Sequence, residues 1–175
     1  MKNVIIIVLI LGAINWFFNF EPSTKTIVEN MTVDEKITFK GVEFDSDWDD
    51  DVTEITNYLR QKDRHYDKNM PIVTYNMILT SGEYNDPEIV SIENKGGGNY
   101  YWRAKKQPQG SIMFYHLIPS SAEIQNKLDD LEVGRAVTLR GKISENNKIV
   151  SSDGYYVQLN HSNHKYILVG DVVQK

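Results

Sequence analysis

The chain contains no cysteine, and this absence removes several classes of chemistry at once. Disulfide bonds, thiol nucleophiles, thiolate zinc sites and lipid attachment through an N-terminal cysteine are all excluded. Proline is scarce, with 5 residues among 175, and the sequence has no internal repeat and no low-complexity tract. An excess of basic residues is also missing, because the formal net charge is -5. A protein that coats nucleic acid through a basic surface is therefore disfavoured.

The composition is that of a globular protein. The chain is 41% hydrophobic, 25% charged and 11% aromatic, which excludes disorder along its whole length. A chain of this size suits one domain with an appendage.

The longest hydrophobic run stands at the N-terminus. From Val4 to Phe20 the chain is apolar apart from two asparagines, and about 17 residues is the short end of what a membrane-spanning helix needs. Lys2 precedes the run, which predicts an inner N-terminus and an outer C-terminal domain. We therefore predict a membrane anchor over residues 1–20. A cleaved signal peptide is the alternative, although Trp16–Phe18 are bulky where a cleavage site needs small residues.

Beyond this segment, the sequence predicts a domain built mainly of strands. Residues 21–36 are polar and predict a tether, and the exported domain is expected over residues 37–175. Each predicted strand combines β-branched or aromatic residues with turn signals at its ends. These strands span residues 37–44, 72–80, 88–94, 100–104, 111–118, 136–143, 148–151, 155–160 and 166–173. We expect a turn at Asn146–Asn147 and a meander at the C-terminus.

Two helices are predicted between these strands. The spacing of apolar residues from Val52 to Leu59 predicts an amphipathic helix over 52–62, with an acidic run at the positive end of its dipole. Ser120 and Glu123 have the spacing of a capping box, which predicts the start of the second helix.

The order of residues from Gly82 to Val173 resembles a group of uncharacterised bacterial membrane-anchored proteins. The matching residues are Gly82–Pro87, Tyr100–Arg103, His116–Pro119, Leu128, Leu131, Gly134, Val137, Leu139 and Gly141. This family has no established activity, so the resemblance implies an anchored location and no particular chemistry. The chain departs from the family in its C-terminal region, which contains cysteine in the family and none here.

A second resemblance concerns Gly134–Ile143, which is similar to the opening strand of an OB-type barrel. Together with the strand pattern, it gives the predicted fold class. We expect an α+β domain of mainly antiparallel strands, as an OB-like small barrel or curled sheet with one or two short helices. A single N-terminal transmembrane helix precedes it.

The candidate binding residues follow a glycine-rich turn. Tyr100, Trp102 and Arg103 belong to an aromatic and basic run, and such runs bind sugars or single strands by stacking. Alternation along a strand places Tyr100 and Trp102 on one face and Arg103 on the other. His116 lies on an apolar strand, where the alternative is a buried histidine bonded to backbone. We take these four residues as candidate ligand-binding residues.

No metal site and no cofactor is predicted. Asp45–Asp51 begins with the alternating aspartates of a calcium loop, but Asp50 stands where an EF-hand needs glycine. His161 and His164 are three residues apart and lack a third ligand nearby in the sequence, so we expect a polar turn.

These observations predict a non-catalytic binding or scaffolding module at the outer face of the cytoplasmic membrane. Residues 4–20 would hold it in the membrane, and its partner would be an envelope protein. The alternative is an OB-like binder of an oligomeric ligand, either glycan or nucleic acid, with nucleic acid disfavoured by the charge. A hydrolase ranks third, because the sequence does not assemble a nucleophile, a base and an orienting group.

Overall fold

The computed structural model describes residues 31–33, 37–96 and 99–175 of the chain. Within these ranges the chain forms eleven β-strands, one α-helix and one 3-10 helix. The strands are β1 Met31–Val33, β2 Ile37–Phe39, β3 Val42–Trp48, β4 Thr53–Arg64, β5 Tyr75–Gly82, β6 Val90–Asn94, β7 Tyr100–Ala104, β8 Gly110–Pro119, β9 Ala136–Ser151, β10 Tyr156–Gln158 and β11 His164–Gln174. The helix α1 spans Ala122–Asp129, and the 3-10 helix spans Glu83–Asn85.

Five of the strands close into a barrel. They follow the order β4–β5–β8–β11–β9, and β9 returns to pair with β4. Every pairing in the barrel is antiparallel except that of β8 with β11. The helix α1 connects β8 to β9. A five-stranded Greek-key barrel with this order has the OB topology. The predicted OB-like barrel is therefore confirmed, as a closed barrel rather than a curled sheet.

The barrel interior is packed with side chains that alternate along its strands. Among its fully or nearly buried members are Ile55, Leu59, Met77, Leu79, Leu117, Val137, Leu139, Ile167 and Val169. Ile124 and Leu128 extend this cluster from α1. Burial of each large aliphatic side chain contributes roughly 1.5–3 kcal/mol, so this cluster is the main source of the barrel's stability.

The strand β9 continues beyond the barrel and joins a second group of strands. Its second half pairs with β3 and β10, and β2 and β1 follow at the far edge. The prediction of a turn at Asn146–Asn147 is wrong, because the strand runs through this point with Asn147 at a φ of 52°. The side chains of this region form a second core with the outer sides of β8 and β11. Its members are Ile37, Phe39, Phe44, Met70, Ile72, Val73, Ile118, Ile149 and Tyr166.

The helix predicted over 52–62 is wrong, since this segment belongs to the strand β4. Ile55 and Leu59 are both buried and lie four residues apart. This spacing suits one face of a helix and one face of a strand equally well. The β-branched residues Thr53, Ile55 and Thr56 favour the strand.

The helix α1 is present and begins one residue later than predicted. The side chain of Ser121, and not that of Ser120, accepts a hydrogen bond from the backbone N of Ile124 at 3.2 Å. The predicted N-terminal strand is also modified. It is split into β2 and β3 by a two-residue turn at Lys40–Gly41, both with positive φ.

A hairpin of β6 and β7 is inserted between the barrel strands β5 and β8, in agreement with the predicted pair. The side chain of Arg60 ties the base of this hairpin to the barrel, since Nη1 donates to the carbonyl of Tyr84 and Nη2 donates to that of Val90 at 3.0 Å.

The predicted membrane segment, residues 4–20, lies outside the described residues. Most of the predicted tether, residues 21–36, also lies outside them, and its described part, Met31–Val33, forms the strand β1. In the part of the chain that the structure describes, no helix has the length and apolar character to cross a membrane.

Candidate functional site

The outer face of β5, β8 and β11 carries a mixture of polar and aromatic side chains. In the register of these strands, Asn76 lies opposite His116, and His116 opposite Tyr166. The next row brings Phe114 opposite His164. Because neighbouring side chains on one face of a sheet touch, these residues form a continuous seam across three strands.

Three imidazoles and one amide in this seam are joined by hydrogen bonds. His116 Nε2 lies 3.1 Å from Nδ1 of His164, and His116 Nδ1 lies 2.7 Å from Oδ1 of Asn76. On its other side, Nδ2 of Asn76 lies 3.2 Å from Nδ1 of His65. We call His65, Asn76, His116 and His164 the histidine chain.

The hydrogen bonds of the histidine chain have one consistent direction when its imidazoles are neutral. The Nδ1–H of His116 donates to Asn76, which leaves Nε2 of His116 as an acceptor for the Nδ1–H of His164. Asn76 then donates to His65. His161 continues the series without a hydrogen bond, as its ring centroid lies 5.5 Å from that of His164.

Burial favours the neutral form of the three imidazoles in the histidine chain. Desolvation, together with the neighbouring imidazoles of His164 and His65, lowers the pKa of His116 to about 3. Burial also lowers the pKa of His164, with a smaller contribution from His161. It lowers the pKa of His65 as well, against an opposing effect from the carboxylate of Asp67. The histidine chain therefore has the protonation state that its hydrogen bonds require.

The hairpin places Tyr100 beside the histidine chain. The ring centroid of Tyr100 lies 5.8 Å from that of Phe114, and Phe114 stacks on His164 at 4.5 Å with an angle of 7° between planes. The hydroxyl of Tyr100 donates to Oδ2 of Asp63 at 2.8 Å. Burial raises the pKa of this hydroxyl well above its usual range, and the bond to Asp63 raises it further. Tyr100 thus fixes the start of β7 to the outer face of the barrel.

The structure brings two of the four predicted site residues together and separates the other two. Tyr100 and His116 approach the same residue, Asn76. His116 is half-buried and bonded to side chains, whereas the alternative prediction was a bond to backbone. Trp102 packs edge-on against Tyr84 and remains 43% exposed. Arg103 is exposed on the opposite face of β7.

Sequence reasoning selected Trp102 and missed four other exposed aromatic rings. Among the described residues, five aromatic rings are at least 36% exposed, and each lies in a connection that borders the outer face of β5, β8 and β11. They are Tyr66 between β4 and β5, Tyr101 and Trp102 between β5 and β8, and Tyr155 and Tyr156 between β9 and β11. The available signal for the last two was their position directly after the turn at Asp153–Gly154.

The acidic run forms no calcium loop. Asp45 and Asp47 lie on β3 with exposed side chains, at a groove of about 470 Å³ that also contains Lys148. Across the described ranges, no three histidine, aspartate or glutamate side chains are placed to hold a metal ion. His161 and His164 flank a turn, closed by the bond from the backbone N of His164 to the carbonyl of His161 at 3.1 Å.

Comparison with known proteins adds little to these observations. No protein-family model matches the chain, and no curated protein matches it. Among solved structures, it is similar to the crystal structure of a small single-stranded DNA-binding protein from Streptomyces coelicolor, with 11% identity and a TM-score of 0.36. The match covers 73% of this chain and 94% of that chain. A likeness at this level carries no argument about function, and the OB assignment rests on the strand order of the barrel.

Proposed function

We propose that the protein is a non-catalytic binding module whose barrel holds an oligomeric glycan by aromatic rings on its loops. The observation that supports this is the position of the exposed rings in the three connections around the outer face of β5, β8 and β11. In OB folds, the face of the second and third strands and the adjoining loops bind oligonucleotides and oligosaccharides. Here β5 and β8 are those two strands.

Charge favours a glycan over a nucleic acid. A nucleic-acid binder gains most of its affinity from cations that neutralise phosphates, and this chain has a net charge of -5. Two lysines at the hairpin are already paired, Lys95 with Glu93 and Lys106 with Glu83. A sugar ring needs no such cations, because it stacks on aromatic faces while its hydroxyls bond to polar side chains.

A binding role also fits the partners of His116. Its ring nitrogens are engaged by an amide and by another imidazole, rather than by a serine or a carboxylate that would form a catalytic pair. We propose in addition that residues 4–20 anchor the domain at the outer face of the cytoplasmic membrane, beside an envelope protein. The sequence of the hydrophobic run supports this location.

The test is titration of the full chain in detergent with cellohexaose and chitohexaose, and with a ten-residue oligothymidylate, by tryptophan fluorescence and calorimetry. We expect saturable binding of a hexasaccharide, weakened roughly tenfold or more by Trp102→Ala. Val133→Ala is the matched control, since Val133 is 54% exposed and lies outside the three connections. Saturable binding of the oligothymidylate alone would mean that the ligand is a nucleic acid and not a glycan. Equal hexasaccharide affinities of the two variants would show that the hairpin is not part of the binding surface.

A further inference from the structure

We infer that the histidine chain is an acid-operated clamp, which joins the β4–β5 and β9–β11 connections at neutral pH and releases them when its imidazoles are protonated. As a means of regulation, it rests on the proposed function, because these connections carry three of the five exposed rings. The clamp itself is a property of the unliganded protein.

The clamp spans four elements of the fold. His65 is the first residue of the β4–β5 connection, and its backbone N bonds to the carbonyl of Thr74 at the other end of that connection, at 3.0 Å. Asn76 and His116 lie on β5 and β8. His164 is the first residue of β11, directly after the β9–β11 connection. Three side-chain hydrogen bonds therefore run from the β4–β5 connection across the barrel face to the residue that directly follows the β9–β11 connection.

Protonation opposes these bonds because a neutral imidazole has one donor and one acceptor, whereas an imidazolium has two donors. A proton on Nδ1 of His65 would face the Nδ2 donor of Asn76. The pair of His116 and His164 accommodates one proton by sharing it between Nε2 and Nδ1. A second proton would place two donors and two positive charges against each other across 3.1 Å.

The surroundings offer little compensation for such charge. From the β4–β5 connection, Asp67 acts on His65 and on Tyr166 of β11. From the hairpin, Tyr100 faces the seam, with Asp63 of β4 behind it as its hydrogen-bond acceptor. His161 approaches from the β9–β11 connection.

At the centre of the clamp, His116 has the imidazole of His164, the amide of Asn76 and the phenol of Tyr166 around it. None of these three described neighbours of His116 is a carboxylate, so none of them would stabilise a proton on its ring. Burial lowers the pKa of His65, His116 and His164, which agrees with a charge that is accepted only when the arrangement opens.

The experiment is amide hydrogen exchange on the full chain in detergent, without ligand, at pH near 7.5 and near 5 after correction for the intrinsic rate. The reporters are the backbone N of Thr74, bonded to Leu117, and that of Phe114, bonded to Asn163. We expect their protection to fall by about tenfold or more at the lower pH, while amides inside the β4–β5 pairing keep theirs. Unchanged protection of both reporters would overturn the clamp.

Variants identify the groups that titrate. The double variant His116→Gln and His164→Gln retains donors and acceptors and cannot be protonated at either position, so the protection of Phe114, at this end of the clamp, should change less than about twofold between the two pH values. His161→Gln is the matched control and should behave like the wild type. A tenfold change at Phe114 in the double variant would mean that groups other than His116 and His164 cause the acid response.

A titration of the imidazole nitrogens by NMR covers the case in which the double variant does not fold. In the wild type, protonation of His65 or of both His116 and His164 should coincide with the loss of protection. Full protonation with the reporters still protected would also overturn the clamp. Glycan binding is measured separately at neutral pH, where the clamp is closed, so failure of the proposed function and failure of the clamp give different results.

Discussion

The Oδ1 atom of Asn76 accepts a hydrogen bond from Nδ1 of His116 at 2.7 Å, and this bond orients both side chains. Asn76 is 5% exposed, although it lies on the outer side of the barrel strand β5. A buried amide of this kind must be fully bonded, because water cannot replace a lost partner. Its amide group also bonds to His65, so Asn76 supports two imidazoles at once.

Replacement of Asn76 by leucine should therefore destabilise the fold. Asn76→Leu leaves Nδ1 of His116 and Nδ1 of His65 each without a partner in the half-buried seam, and the expected loss in unfolding free energy is about 1–3 kcal/mol. Urea denaturation at neutral pH measures it. Asn160→Leu is the control, as Asn160 is exposed in the β9–β11 connection and should change stability by less than about 0.5 kcal/mol. Equal stabilities for the two variants would contradict the importance of the amide.

Stability should also fall in acid. The folded-state pKa of His65, His116 and His164 is lowered from 6.5, so the unfolded chain binds more protons than the folded chain below that value. Their contribution is fully present above pH 6.5 and is lost as the pH falls below it, by about 1.4 kcal/mol per pH unit for each extra proton. Urea denaturation between pH 7.5 and about 4 gives the slope. His116→Gln should reduce the slope, and an unaltered slope would show that His116 does not cause it.

The sequence predicts the barrel better than it predicts the seam. Strand runs and the Gly134–Ile143 pattern lie within single segments, and local alternation is sufficient to recognise them. The wrong prediction of a helix over residues 52–62 has a local cause as well, because the spacing of Ile55 and Leu59 fits both a helix face and a strand face. The histidine chain, from His65 to His164, has no such local signal. Its bonds join residues 11, 40 and 48 positions apart, and only strand pairing brings them together.

Two candidate residues were found because their types were unusual for their position. His116 stood alone among apolar neighbours, and Tyr100 stood at the start of a strand after a glycine-rich turn. Their common neighbour, Asn76, lay within a predicted strand and gave no signal of its own. A buried asparagine is recognised only when its partners are known, and these come from β8 and from the β4–β5 connection.

Gly141 is a further test of the barrel. It lies where β9 pairs with β4 on one side and β11 on the other, and an added Cβ would lie 2.2 Å from the carbonyl oxygen of Leu168. Gly141→Ala must separate these strands and should cost at least about 2 kcal/mol of unfolding free energy. Gly170→Ala is the control on the paired strand, since its Cβ would meet only the carbonyl oxygen of Arg140 at 3.8 Å. Thermal or urea denaturation compares them, and a Gly141→Ala variant as stable as the control would contradict this packing.

The contact between α1 and the barrel should be visible in the titration of Tyr75. Burial raises the pKa of Tyr75 to about 12, and its hydrogen bond to Oδ1 of Asp129, at 2.8 Å, contributes. The raised pKa means that this contribution to stability is present below pH 10 and is lost as the pH rises toward 12. Asp129→Asn should lower the pKa of Tyr75, measured by absorbance near 295 nm as the difference from Tyr75→Phe. Asp130→Asn, one residue further on, should leave it unchanged.

The hydroxyl of Tyr100 should determine how firmly the hairpin is held. Tyr100→Phe keeps the ring on Phe114 and removes the bond to Asp63, so the hairpin should open more often while the barrel is unaffected. A loss of about 0.5–1.5 kcal/mol corresponds to roughly a two- to twelvefold increase in exchange at the β6–β7 amides. Tyr101→Phe is the control, because Tyr101 is 60% exposed on the other face of β7. Equal exchange in the two variants would mean that the bond to Asp63 adds nothing, and that the ring of Tyr100 and the bonds from Arg60 hold the hairpin.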